Sequence, residues 1–131
     1  MLSKLLATFA SAVSIGFGIW HFSVPSVWRW YDYMAEDAAE LVLAVRATNV
    51  FFSLSLVLIG VLNLIFTYSS KSTEFAFDVM MAASCVLWLT RVVMQIIYPQ
   101  GSINPWLQYG MLAGFILTFL CFSAALILPK I

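Results

Sequence analysis

The chain has 131 residues, enough for one domain and short for two, and its six basic residues balance its six acidic ones. With 63% hydrophobic and 9% charged residues and a mean hydropathy of +1.00, it lies outside the soluble globular range. That excludes a water-soluble core, which takes up far less apolar surface, and a basic nucleic-acid face, so no nucleic-acid partner is expected.

Four apolar runs are long enough to cross about 30 Å of hydrocarbon at the helical rise per residue. The first covers 5–24. A cleavable signal peptide competes for it, with Lys4 as a basic start and Ala10-Ser11-Ala12 as a cleavage site. The apolar stretch before that site is shorter than the roughly 7–15 residues required, so a retained helix is expected. Pro25 ends the run, and 26–34 reads as a short interfacial helix with Ser26 as its N-cap. The second run is 41–68, the third 75–98 and the fourth 106–128, with Pro99, Gly101 and Pro129 as punctuation. No run alternates in polarity as a membrane strand does. The expected fold is all-α: an antiparallel four-helix transmembrane bundle forming one integral membrane domain, 1–131.

An even number of spans puts both termini on one face. That face carries Lys4, Lys71 and Lys130; the opposite one carries Arg29 among Asp32, Glu36, Asp37 and Glu40. The excess of short-loop basic residues predicts cytoplasmic termini in a multi-pass membrane protein. Trp20, Trp28, Trp30 and Trp106 collect at the opposite, outer interface, where aromatic rings anchor at headgroup level.

Each span also carries small or polar residues at the 3-4 spacing that stacks side chains on one helix face. They are Ser11, Ser14, Gly18 and His21 on the first, and Arg46, Asn49, Ser53, Gly60, Asn63 and Thr67 on the second. The third shows Met81, Ser84, Trp88, Arg91 and Gln95, and the fourth Gly110, Gly114, Cys121 and Ala125. Such faces pack helix against helix in lipid. On the fourth span they are expected to turn inward, with a homodimer contact through Gly110 and Gly114 as the other reading.

By depth, His21, Arg46, Asn49, Trp88, Arg91 and Gln95 fall in one layer near the outer face. A charge in hydrocarbon is costly and needs a named partner. Three uses compete for the layer. Each arginine snorkels or pairs with a loop acid; Arg46 and Arg91 face each other and bind an anion or lipid headgroup; or His21 serves a proton or ion path. In the second, Asn49 and Gln95 orient the ligand while His21 and Trp88 line the wall. Cys85 and Cys121 form no CxxC pair, and a single histidine makes no typical metal site, so neither a thiol catalyst nor a metal is expected.

The end of the first span, Gly18-Ile19-Trp20-His21-Phe22-Ser23-Val24-Pro25, resembles the G-x-x-H-F-x-x-P pattern of DoxX-like membrane proteins. The resemblance implies a helical membrane bundle, with His21 and Pro25 as positions of interest and quinone-linked oxidoreduction or assembly roles among relatives. The expectation from the residues themselves is a binding protein for membrane lipids, an amphipathic anion or a membrane-protein partner, with no resident cofactor. A quinone-binding oxidoreductase component, with His21 and the amides on the quinone oxygens, and an oligomeric transporter or channel are the alternatives.

Overall fold

The computed structural model describes residues 1–129: four long helices, α1 (Leu2–Val27), α2 (Ala39–Tyr68), α3 (Glu74–Ile97) and α4 (Pro105–Ile127), and a 3-10 turn at Trp30–Tyr33. Lys130, counted above on the terminal face, lies outside the described residues. All four helices are long and apolar enough to cross a membrane, and the described residues contain no strand. The all-α bundle expected from the sequence is the fold, with each helix close to its predicted span. Thr73 caps α3 by accepting from the Ala76 N–H at 3.1 Å, and Asn104 caps α4 by accepting from the Trp106 N–H at 3.1 Å. Pro105 at the start of α4 needs no N–H partner there.

The helices form a ring in which α1 packs on α2 and α4, α4 packs on α3, and α2 and α3 touch least. The α1–α2 seam is close because two glycines permit it. A methyl group on Gly18 would lie 2.8 Å from the Ser53 carbonyl oxygen, and one on Gly60 would lie 2.9 Å from the Ser11 carbonyl oxygen and 2.6 Å from the Ile15 side chain. Near the termini small residues draw α1 and α4 together: Ala7, Ala10 and Ala125 are fully buried, and Ser3 Oγ donates to the Ala125 carbonyl at 2.8 Å. In that half Asn63 Nδ2 also ties α2 to α3 by donating to Ser84 Oγ at 2.8 Å.

Two expectations are corrected. First, α1 does not stop at Pro25 but runs through it to Val27. Ser26 therefore lies in the last turn of α1 and caps nothing, and the interfacial helix shrinks to the 3-10 turn. Arg29, at φ 52°, makes the sharp left-handed break between them. Proline is tolerated because the carbonyl it deprives, four residues earlier at His21, accepts from the Asn49 side chain instead. Second, Gly110 and Gly114 face outward, with nothing within 4 Å of where a Cβ would sit. α4 buries Phe115, Thr118, Cys121, Phe122 and Ala125. Cys121 and Ala125 thus turn inward as expected, while nearer the start of the helix the Phe115 ring fills the space between helices in place of the glycines.

Candidate functional site

The far half of the α2–α3 seam, away from the termini, does not close. Between the helices lies a cavity of about 500 Å³. α2 contributes Thr48, Phe52 and Leu56; α3 contributes Leu87, Trp88, Thr90, Arg91 and Met94. Phe17 and His21 of α1 form its back, and Trp30 and Gln100 come from the two far-side loops. Thr48, Leu87, Thr90 and Met94 remain exposed on the helix surfaces, so the cavity faces outward between α2 and α3, where a bilayer would lie.

The wall is aromatic. Phe17 contacts Trp88 at 5.9 Å and Phe115 at 5.3 Å between ring centroids. His21 meets Phe52 edge-on at 4.6 Å and Trp30 at 6.2 Å. Trp88 is held by its indole N–H, which donates to Ser14 Oγ at 3.0 Å; that hydroxyl in turn donates to the Ala10 carbonyl at 2.9 Å. Bulky rings spanning from α1 and α3 thus keep α2 and α3 apart here, where the hydrogen-bonded pair Asn63–Ser84 closes them nearer the termini.

Arg91 is the charged group on this wall. Its guanidinium lies 4.5 Å over the Phe115 ring, and Nη2 donates to Gln100 Oε1 at 2.6 Å. Gln100 is itself positioned by Gln95: the buried amide donates through Nε2 to the Gln100 carbonyl at 2.9 Å and accepts the Gln100 N–H at 3.4 Å. Gln95 is therefore a loop clamp that places the arginine's partner, and it does not line the cavity. A guanidinium has five N–H donors, so the bond to Gln100 orients the fork without exhausting it.

Asn49 is also used inside the protein. Its Oδ1 lies 2.7 Å from His21 Nδ1, and its Nδ2 donates to the His21 carbonyl at 3.1 Å. This two-point pairing fixes the imidazole against Phe52 and satisfies the carbonyl that Pro25 leaves without a helical partner.

The expected pair of facing arginines is not formed. Arg46 is exposed, its guanidinium 5.1 Å over the Tyr31 ring, and it lines neither the main cavity nor the smaller one beside His21 and Asn49. α2 is 30 residues long, about 45 Å at the helical rise, longer than the hydrocarbon core of a bilayer. Its length leaves turns to spare beyond the hydrocarbon, and stacking on the half-buried Tyr31 ring costs less than a second buried charge. Of the six residues singled out from the sequence, His21, Trp88 and Arg91 line the main cavity, Asn49 and Gln95 support it from behind, and Arg46 lies apart. Phe17 and Phe52 were legible by spacing, one turn from His21 and Asn49 on the same helix faces. Gln100 and Trp30 carry no such signal, because they arrive from loops.

Cys85 and Cys121 are free thiols, Cys85 Sγ lying 3.5 Å from Ser123 Oγ. The described residues hold no cluster of three metal-ligating side chains. No protein-family model, curated protein or solved structure matches the chain.

Proposed function

We propose that this chain is a small multi-pass membrane protein whose α2–α3 cavity takes up an amphipathic molecule from the surrounding bilayer. The observation that carries this reading is one arginine on the wall of a mostly apolar, aromatic-rich cavity that opens sideways between two spans. An apolar body would fill the space between Phe17, Phe52, Leu87 and Trp88, while an oxygen-bearing or anionic head would accept from the free N–H groups of Arg91. A lipid headgroup with part of its chain, or a free amphipathic anion, has that division. The count of basic residues supports cytoplasmic termini, with the cavity in the extracytoplasmic half; a reporter fused to the C-terminus and active only in the periplasm would contradict it.

Native mass spectrometry of the protein released from lipid nanodiscs tests the site. Arg91→Ala is expected to lose most co-purifying ligand, and Lys71→Ala, in the loop at the other end, to retain it. Equal retention in the two variants would remove the proposal.

The aromatic wall also favours a second reading, a flat ring with carbonyl oxygens such as a quinone. Its ring would stack among Phe52, Trp30 and Trp88 while Arg91 donates to an oxygen. Organic extraction and an ultraviolet spectrum of the extract separate the two: a quinone band supports the second reading, and phospholipid alone the first.

A further inference from the structure

The pairing of His21 with Asn49 determines more than a ring position. A carbonyl oxygen only accepts, so the Asn49 atom 3.1 Å from the His21 carbonyl is its NH2 group. That orientation follows from Pro25, which has no N–H to give this carbonyl along the helix. The amide oxygen then faces His21 Nδ1 at 2.7 Å and, accepting only, requires the N–H there. In the neutral imidazole Nε2 is left as a lone-pair acceptor. The ring lines the cavity, and no hydrogen bond from the described residues reaches Nε2. Arg91, on the same wall, has no acceptor at all. Of the imidazole and the guanidinium on the wall, His21 therefore offers an acceptor and Arg91 only donors, beside the Thr48 and Thr90 hydroxyls and the Gln100 amide.

We infer that the molecule this cavity accommodates carries a hydroxyl on an apolar body: the O–H donates to His21 Nε2 and head oxygen accepts from Arg91. The inference rests on the ligand-binding reading above and narrows it to hydroxylated amphiphiles. An ether, an ester or a bare phosphodiester offers Arg91 its oxygen and leaves the imidazole nitrogen unpaired in an apolar wall, a mismatch that costs affinity. Asn49 and Pro25 are positioning residues: neither lines the main cavity, and together they decide which imidazole nitrogen does the accepting.

The chain has one histidine, so the nitrogen NMR spectrum of 15N-histidine-labelled protein in nanodiscs reports this ring alone. The free protein is expected to show a protonated Nδ1 and an unprotonated Nε2. The probes are 4-octylphenol and 4-octylanisole, which differ by methylation of the oxygen. Octylphenol should shift the Nε2 signal and change tryptophan fluorescence saturably, with octylanisole about tenfold weaker. Asn49→Ala should return the ring toward the Nε2-protonated tautomer and reduce the preference; if that variant fails to fold, the wild-type spectra still decide. A protonated Nε2 in the free protein, or equal binding of the two probes, overturns the inference and leaves the ligand site standing. If neither probe binds while lipid retention still depends on Arg91, the hydroxyl class is overturned alone. If retention is also indifferent to Arg91, both readings fall.

Discussion

Helix α2 packs on two neighbours by opposite means. Toward α1 it presents Gly60 and Ser53, and backbone approaches backbone so closely that no methyl group fits at Gly18 or Gly60. Toward α3 it presents Asn63 near the termini, hydrogen-bonded to Ser84, and Phe52, Leu56 and Thr48 farther along, where the helices part around a cavity. The first seam is closed at its two glycines, with a smaller cavity only beside His21 and Asn49, and the second holds the larger one. In lipid, association of helices relies on close packing and polar contacts, since tails are as apolar as leucine. A seam that parts in its far half is the one that leaves room for a ligand under the reading proposed above, and the close contacts at Gly18 and Gly60 hold the bundle together beside it.

The comparison breaks most readily at its tight side. Gly60→Val is expected to destabilise the bundle by about 3 kcal/mol, because a branched side chain meets the Ser11 backbone and Ile15 with nowhere to move. Gly110→Val and Gly114→Val, in open surroundings, should leave the melting temperature unchanged; equal losses at all three positions would remove the distinction between seams. Asn49→Ala should follow at about 2 kcal/mol, since it removes the partner of both the His21 carbonyl and the imidazole Nδ1. In a Pro25→Ala background that loss should shrink, because residue 25 then has an N–H for the same carbonyl; additive effects in the double-mutant cycle would refute the link.

The open side yields smaller stability changes and larger changes in binding. Leu87→Trp, pushing an indole into the cavity mouth, should cut ligand retention about tenfold, roughly 1.4 kcal/mol, with little change in melting temperature. Retention at the wild-type level would show that bound molecules sit elsewhere. The smallest effect belongs to Arg46→Ala, which removes the stack of an exposed guanidinium on half-buried Tyr31: under about 1 kcal/mol in stability and no change in retention. A loss of ligand comparable to that of Arg91→Ala would bring this arginine back into the site.

Much of this was legible in the residues. Ser11, Ser14 and Gly18 on α1, Ser53, Gly60 and Asn63 on α2, and Met81, Ser84 and Trp88 on α3 all face inward as their spacing predicts. A polar or small residue in an apolar helix marks a packed face, because lipid offers it no partner. On α4 the signal held for Cys121 and Ala125, which are buried, and failed at Gly110 and Gly114, where Phe115 turns inward instead. Arg46 was misplaced because depth along a helix does not say which neighbour a side chain meets, and its guanidinium stacks on Tyr31 from the loop instead of facing Arg91.

The sequence by itself determined four membrane-length helices, the buried polar stripes of the first three, and a histidine and an arginine near one end. Periodicity and hydropathy are local properties, and lipid enforces them helix by helix. Only the tertiary structure decided that α2 and α3 part in their far half, that Asn49 and Gln95 turn their amides to the backbone, and that Arg46 stacks outside while Arg91 lines the cavity. Those outcomes depend on volumes and hydrogen-bond partners brought together from separate helices and loops, and no spacing along a single helix encodes them.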